Sequence, residues 1–256
     1  ENEMGGSMAV ANFAFEYPRV LSIAGSDSGG GAGIQADLKT IAALGCFGLT
    51  AVTALTAQNT QGVRAIHGVP PDMLRDQIDA VIEDIGVHAV KVGMLHSPEI
   101  VQTVAEAIDR HGMRTVVLDP VMVATSGAVL IDSPAVAVLV RELFPRATLI
   151  TPNLDEASLL VGRPLASEAD MEQAARALMA MGAPAVLIKG GHLAGNVVSD
   201  VLLMSDQRIH WMRAARIATA NTHGTGCTLS SAIAAHLALG DSLQDAVRAG
   251  HSFVKT

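Results

Sequence analysis

Aromatic side chains are scarce in this chain of 256 residues, where Phe, Trp and Tyr make up 3% while hydrophobic residues make up 50%. The core must therefore consist of Ala, Val, Leu, Ile and Met, which is typical of helices packed on a buried parallel sheet. Only two cysteines are present, Cys46 and Cys227, far apart in the sequence. This excludes a disulfide scaffold and favours a reducing compartment, with the cytoplasm as the expected location.

The chain also lacks an excess of positive charge, since its formal net charge is -8. Without a broad positive field, we expect neither nucleic acid nor an anionic membrane as a partner, and any phosphate must be bound by local groups. Two long uncharged stretches, 40–63 and 217–240, contain glycines and polar side chains that a bilayer would leave without hydrogen bonds. Both are interpreted as buried segments of a protein that does not span a membrane.

The start of the chain differs in composition from the rest. Residues 1–7 end in Gly5-Gly6-Ser7 and are interpreted as a non-native linker before Met8. Residues 8–18 are then an N-terminal extension, and residues 19–256 have a length compatible with one large α/β domain.

Strand-like apolar runs alternate with helix-period runs along almost all of this domain, which predicts βαβ units and a mostly parallel sheet. The predicted strands are 20–24, 49–56, 89–92, 115–119, 148–151 and 185–189. The predicted helices are 33–44, 71–84, 98–111, 135–143, 154–161, 168–181 and 226–239. An antiparallel hairpin is predicted over 197–204 and 208–213, with its turn at Asp206-Gln207.

Unusual residues collect just beyond the carboxyl ends of these strands, where open parallel sheets bind ligands. The first cluster, residues 25–33, is rich in glycine but has neither the G-x-G-x-x-G spacing nor a P-loop ending. It fits a flexible turn as well as a close approach of ligand to backbone. Asp37 in the following helix is, on its own, most simply a solvated carboxylate. The later clusters are Gln58-Asn59, Gly93-Met94, Asp119-Pro120, 153–156 and 189–192.

Three of these clusters contain candidates for binding phosphate or a metal ion. Asn153 and Glu156 have the spacing of a capping box, which would be purely structural, yet Glu156 could also hold hydrated Mg²⁺. Asp119 is a second candidate for that ion. Lys189, followed by two glycines, could contact phosphate as a point charge.

The most specific pattern is the run from Asn221 to Cys227, in which Gly224-Thr225-Gly226 opens a predicted helix. Such a helix start binds anions through its N–H groups and the positive end of the helix dipole. The same field should lower the pKa of Cys227 and favour the thiolate. A small buried cysteine is the alternative, and for Cys46 it is the only interpretation.

Ordered blocks of sequence from about Arg19 onward carry a resemblance: residues 23–27, 30–40, 53–60, 91–95, 118–122, 151–154, 189–192 and 221–227. These blocks resemble the hydroxymethylpyrimidine/phosphomethylpyrimidine kinases of thiamine biosynthesis, which belong to the ribokinase-like superfamily. The resemblance implies a three-layer α/β/α fold with a mostly parallel central sheet, usually in a homodimer. It implies a kinase that uses ATP and Mg²⁺ to convert 4-amino-5-hydroxymethyl-2-methylpyrimidine to its monophosphate and then its diphosphate.

The resemblance also implies roles for individual residues. Gln58 would hydrogen-bond the pyrimidine, and the pocket would be lined by Gly25, Asp37, Met94 and Val121. The anion hole would be Gly224, Thr225 and Gly226, with Cys227 where sugar kinases have an Asp base. Phosphates would be bound by Lys189, Asn153 and Thr222, and Mg²⁺ by Asp119 and Glu156.

Two features depart from the family pattern, and three alternative functions stay open. Some relatives have Lys in place of Thr125, and the chain stops at Thr256 before a glycine-rich tail that often closes this family. The alternatives are a pyridoxal or pyridoxine kinase of the same family, a sugar or nucleoside kinase, and a non-catalytic pyrimidine or nucleotide sensor. Cys227 disfavours the sugar kinases, and the intact set of charged site residues disfavours the sensor.

Overall fold

The computed structural model describes residues 17–123, 130–131, 133–191, 196–216 and 223–255. The first strand begins at Arg19, which is the predicted start of the domain. The segments predicted to be a linker (1–7) and, for the most part, an N-terminal extension (8–18) lie outside the described residues, as do Thr125, His192, Asn221 and Thr222.

Nine strands of the described residues form one sheet in the order β3-β2-β1-β4-β5-β6-β7-β8-β9. Their bounds are β1 Arg19–Asp27, β2 Phe47–Asn59, β3 Gly62–Gly68, β4 Ala89–Val92, β5 Val116–Leu118, β6 Leu149–Ile150, β7 Val186–Ile188, β8 Val197–Leu203 and β9 Ile209–Ala215. The strands from β2 to β7 in this order pair in parallel, while β3, β8 and β9 pair antiparallel at the two edges.

Helices connect the strands and cover both faces of the sheet. Their bounds are α1 Gly33–Ala43, α2 Pro71–Asp84, α3 Pro98–His111, α4 Ser133–Leu143, α5 Leu154–Val161, α6 Glu168–Ala180, α7 Thr225–Ala238 and α8 Leu243–Phe253, with a short 3₁₀ turn at Phe144–Arg146.

Side chains along the central strands point alternately to the two faces of the sheet, and the hydrophobic core lies on both of these faces. Val116 and Leu118 of β5 point into the cluster with α2 to α6, whereas Val117 points into the cluster with α1, α7 and α8. Because successive strand residues face opposite sides, short apolar strands such as β4 and β5 are buried on both faces. The predicted α/β fold with three layers and a mostly parallel sheet is confirmed.

Local signals explain the helices whose bounds were predicted correctly, α2, α3 and α5. Helix α3 begins after Ser97, whose side chain accepts from the Ile100 N–H, and ends at Gly112 in the left-handed conformation. The predicted hairpin is β8 with β9, and Gln207 in its turn has a φ of 67°. Strand β3 and helix α8 were not predicted.

The order of the strands positions a crevice. From β1 the chain continues to β2 on one side, while β4 and the later strands lie on the other side. Ligands of such sheets bind beyond the carboxyl ends of the strands near this switch point. Among the described residues, no helix combines the length and apolar character needed to cross a bilayer.

Candidate active site

A cavity of about 560 Å³ lies at this edge of the sheet, a volume suited to small-molecule ligands. Most of the predicted site residues line it: Gly25, Gln58, Met94, Asp119, Val121, Asn153, Glu156, Lys189, Gly224, Thr225, Gly226 and Cys227. Asp37 is not among the residues that line it, and Thr222 lies outside the described residues. The structure therefore brings together groups from the ends of six strands and the start of α7.

The glycine-rich loop after β1 is held by Asp27. This buried carboxylate accepts hydrogen bonds from the N–H groups of Gly29 at 2.8 Å, Gly31 at 3.1 Å and Ala32 at 2.8 Å. Its Oδ2 also lies 3.0 Å from Nε2 of His223. Burial alone would raise the pKa of Asp27, but His223 and these N–H groups outweigh it and the pKa is lowered.

The loop is therefore not simply a flexible turn, because Asp27 fixes its backbone. The sequence pattern predicted no separate role for Asp27. The available signal was an Asp directly before a run of Ser and Gly, since Asp side chains accept N–H groups two or more residues ahead.

The start of α7 touches this loop backbone to backbone. Gly224, the residue before the helix, has a φ of 82°, and a Cβ placed on it would collide with the carbonyl oxygen of Gly31. Only glycine satisfies both conditions at this position. Gly224 at the N-cap position supplies no side-chain cap, and the helix start lines the cavity with its positive dipole end.

The prediction of a lowered Cys227 pKa is wrong. Burial raises the pKa of this half-buried thiol, and the carboxylates of Asp37 and Asp119 also raise it, against opposing effects of Lys91 and the Gly33 N–H. The structural interpretation of Cys46 is confirmed, because that residue is buried with Sγ 3.8 Å from the Ala235 carbonyl oxygen.

Asp119, which is buried, forms an ion pair with the partly buried Lys189 at the side of the cavity near the start of α7. Lys189 Nζ lies 2.8 Å from Asp119 Oδ1, which also accepts from the Thr151 hydroxyl at 2.9 Å. Burial by itself raises the pKa of Asp119, but Lys189 and Lys91 outweigh it and the pKa is lowered. A Cβ on Gly226 would lie 3.1 Å from Lys189 Nζ, so this ammonium group lies against the first turn of α7.

The capping-box interpretation of Asn153 and Glu156 is confirmed. The Asn153 side chain accepts from the Glu156 N–H at 2.9 Å, and Glu156 Oε2 accepts from the Asn153 N–H at 2.7 Å, which completes a capping box. Both residues also line the cavity. Burial raises the pKa of Glu156 to about 7, with Asp119 adding to the effect and Lys189 opposing it.

The donor set of Asp119 and Glu156 fits Mg²⁺ rather than a metal held by protein ligands alone. The described residues contain no group of three or more His, Cys, Asp or Glu that could hold a metal ion. Mg²⁺ is commonly bound by one or two carboxylates together with phosphate oxygens and water. A buried carboxyl with a pKa near 7 is also one whose ionised form a nearby cation would favour.

Asp37 is neither solvated nor at the cavity surface, so the interpretation as a solvated carboxylate is wrong. It is fully buried and pairs with Lys91 Nζ at 2.8 Å, and its carboxylate accepts from the hydroxyls of Ser22 and Ser231. Burial would lower the pKa of Lys91, but the Asp37 carboxylate outweighs it and the pKa is raised.

Sequence reasoning assigned no role to Lys91, which lines the cavity from β4. The available signal was a lysine inside an otherwise apolar buried strand, because lysine is almost never fully buried unless it is paired. Its partner could not be read from the sequence.

The other side of the cavity is mainly apolar. Met94 packs with Leu130 and Val121, and a Cβ on Gly25 would lie 3.0 Å from the Met94 sulfur, so glycine leaves room for that side chain. Gln58 adds a polar group there, with its Oε1 accepting from the Thr56 hydroxyl at 3.1 Å. Such a surface suits a flat heterocycle with a few hydrogen-bonding atoms.

Comparison with known proteins gives consistent matches. Residues 27–256 match the family model described as phosphomethylpyrimidine kinase. A hydroxymethylpyrimidine/phosphomethylpyrimidine kinase of Rhizobium meliloti is 53% identical over 91% of this chain and 88% of its own length. The thiamine biosynthesis bifunctional protein ThiED of Geobacter sulfurreducens is 52% identical over 93% of this chain, which spans only 49% of that longer protein.

Solved structures agree with the sequence matches. A phosphomethylpyrimidine kinase from Clostridium difficile superposes with a TM-score of 0.81 at 40% identity, over 93% of this chain and 98% of that chain. The ADP complex of a Bacillus subtilis pyridoxal kinase superposes with a TM-score of 0.86 at 38% identity, over 93% and 90% of the two chains.

Proposed function

This chain belongs to the phosphomethylpyrimidine kinase family, as its sequence blocks predicted, and on that premise we propose that it is a bifunctional hydroxymethylpyrimidine and phosphomethylpyrimidine kinase. It phosphorylates 4-amino-5-hydroxymethyl-2-methylpyrimidine with ATP, and then phosphorylates the product again to the diphosphate. The observation that carries this proposal is one cavity with two chemically different sides. One side has Lys189 beside the start of α7, and the other is an apolar wall with Gln58.

The phosphate side supplies the charge stabilisation that phosphoryl transfer needs. Its loose transition state asks mainly for alignment of the reacting groups and for positive charge around the transferred phosphoryl group. Lys189 would supply part of this charge, and the proposal is supported by Asp119, which holds its ammonium group against Gly226 at the start of α7. The N–H groups of Gly224, Thr225 and Gly226 form the proposed anion hole.

Mg²⁺ would be held at Asp119 and Glu156, with Asn153 and Thr222 near the nucleotide phosphates. The ion would supply charge neutralisation for the phosphates when bound. The pyrimidine would lie against Met94, Val121 and Gly25, with Gln58 as its hydrogen-bonding partner.

Cys227 would accept a proton in only the first of the two phosphorylation reactions. The first acceptor is an alcohol that must lose a proton, whereas the second is a phosphate that is already ionised near neutral pH. We therefore expect Cys227→Ala to slow the first phosphorylation at least tenfold more than the second. Separate kinetic assays with the two acceptors measure this ratio, and equal losses would contradict the assignment.

Pyridoxal phosphorylation is the second candidate function, favoured by the close superposition on the pyridoxal kinase of Bacillus subtilis. ADP release measured with the hydroxymethylpyrimidine, pyridoxal and ribose as acceptors distinguishes the candidates. Preference for the hydroxymethylpyrimidine supports the proposal, and preference for pyridoxal or ribose replaces it. Binding without turnover of any acceptor would indicate a sensor.

Three expectations about the protein in the cell accompany this proposal: residues 19–256 act as one kinase domain, two copies form a homodimer, and the location is the cytoplasm. Light scattering coupled to size-exclusion chromatography tests the dimer, and a monomer at micromolar concentration would contradict it.

A further inference from the structure

The buried pair of Lys91 and Asp37 is the strongest charged feature that the proposed reaction does not use. Both side chains are fully inaccessible to solvent, and two further elements contribute side chains that hydrogen-bond to the pair. Asp37 comes from α1 and Lys91 from β4, while Ser22 of β1 and Ser231 of α7 donate to the carboxylate. A buried ion pair contributes little to stability compared with apolar residues of similar volume. Stability alone therefore does not explain this pair, and a functional role is considered.

The pair is linked by a hydrogen bond to helix α7, which carries the Cys227 thiol. Ser231 follows Cys227 by four residues on α7, so the two side chains share one face, about one turn apart. Ser231 Oγ lies 2.7 Å from Asp37 Oδ1, which lies 2.9 Å from Lys91 Nζ. Lys91 and Cys227 also line the same cavity.

The charged groups around Cys227 come from several elements. Lys91 of β4 is the main cation that acts on the thiol, and Lys189 beyond β7 also interacts with it. The opposing anions are Asp37 of α1 and Asp119 of β5, while the N–H of Gly33 at the start of α1 donates toward the sulfur. Lys91 and Asp37 therefore act on the thiol with opposite sign.

We propose that Lys91 is a positioning residue that acts through Cys227, its ammonium group stabilising the thiolate while Asp37 holds that group in place and moderates its charge. The catalytic meaning of this inference rests on the proposed function, in which Cys227 accepts the proton of the alcohol. The effect of Lys91 and Asp37 on the thiol can be tested independently of the proposed function, because the reactivity of the thiol can be measured without turnover.

The experiment follows alkylation of Cys227 by iodoacetamide as a function of pH, without metal or nucleotide. Cys46→Ala in every protein leaves one thiol, because the chain has only two cysteines. The rate of alkylation follows the thiolate fraction, so its midpoint reports the pKa of Cys227. The variants are Lys91→Met, Lys91→Arg and Asp37→Asn, and Asp79→Asn is the control because Asp79 pairs with Arg110 and His111 away from the cavity.

The two charge removals should shift the midpoint in opposite directions. Lys91→Met should raise it by about one pH unit or more, which slows alkylation about tenfold at a fixed pH below the midpoint. Asp37→Asn should lower it, because Lys91 then acts without its counter-charge. Lys91→Arg and the Asp79 control should stay close to the parent.

A disrupted core would instead shift the alkylation midpoints of both charge-removal variants in the same direction, and that result would overturn the proposal. An unchanged midpoint in Lys91→Met would also overturn it. Circular dichroism establishes which variants fold. If Lys91→Met does not fold, Asp37→Asn decides alone, and an unchanged or higher midpoint overturns the proposal. Failure of the proposed function would show separately as absent ADP release while the opposite shifts persist.

Discussion

Glu156 should make the metal-free protein less stable as the pH rises, and Glu156→Gln should remove this effect. Burial raises the pKa of Glu156 to about 7 from the ordinary 4.5. Between these two values the folded protein keeps a proton that the unfolded chain has released. Stability therefore falls as the pH rises from about 4.5 to about 7, because the unfolded state binds fewer protons there.

The magnitude follows from the size of the shift. At about 1.4 kcal/mol for each pH unit, the raised pKa costs the folded state about 3 kcal/mol once Glu156 is fully ionised. About 1 kcal/mol of this cost is already present at pH 5, where the unfolded carboxyl is mostly ionised. Between pH 5 and pH 8 we expect Glu156→Gln to gain about 2 to 3 kcal/mol of unfolding free energy relative to the parent.

The assay is urea unfolding at pH 5, 6, 7 and 8 in the presence of EDTA, followed by circular dichroism. The pH-dependent part of the difference is the relevant quantity, because the glutamine oxygen can still accept from the Asn153 N–H while other effects of the substitution add a constant offset. Glu83→Gln is the matched control, since Glu83 is exposed on α2. Parallel stability curves for the parent and Glu156→Gln would refute the reasoning.

Two further substitutions test the phosphate side of the cavity. Gly224→Ala should lower the unfolding free energy by about 2 kcal/mol or more and reduce turnover, because it adds a collision with Gly31 to the left-handed backbone penalty of about 1–2 kcal/mol. Gly112→Ala is its control, because Gly112 has a φ of 60° and no atom lies near the added Cβ. In urea unfolding this control should show the backbone penalty alone. Equal losses of unfolding free energy in both variants would contradict the collision. Lys189→Met should cost about 3 kcal/mol of unfolding free energy by leaving Asp119 buried without its cation, and should lower kcat in the ADP-release assay. Parental stability and turnover in that variant would show that the pair carries neither role.

Much of the fold could be predicted because local chemistry and tertiary structure agree. Helix α5 has its capping box at Asn153 and Glu156 and ends at Gly162 in the left-handed conformation, so both ends are encoded locally. The central strands are apolar runs because both of their faces are buried. The location of the site followed from the same pattern, since parallel strands bring their carboxyl ends to one edge.

Strand β3 and helix α8 were not predicted, for two different reasons. Strand β3 is an exposed edge strand whose residues Arg64 and His67 interrupt any apolar alternation, and its pairing with β2 depends on tertiary structure. Helix α8 did carry a local signal. Ser242 accepts from the Asp245 N–H, and the buried residues Ala246, Val247 and Gly250 have helical spacing, so this helix was predictable from local sequence.

The proton affinity of Cys227 shows where local sequence stops being sufficient. A helix start contributes about 0.3–1 kcal/mol, and up to about 2 kcal/mol in partly buried sites, whereas burial shifts pKa values by up to several pH units. Burial therefore decides the direction of the shift, although the helix start was identified correctly. The charges of Lys91 and Asp37 act on the thiol with opposite sign, and they share its surroundings only because β4, α1 and α7 meet there. The chemistry of this cysteine is a property of the folded sheet and its two neighbouring helices, which is why the decisive measurement changes those two distant charges rather than the helix that carries the thiol.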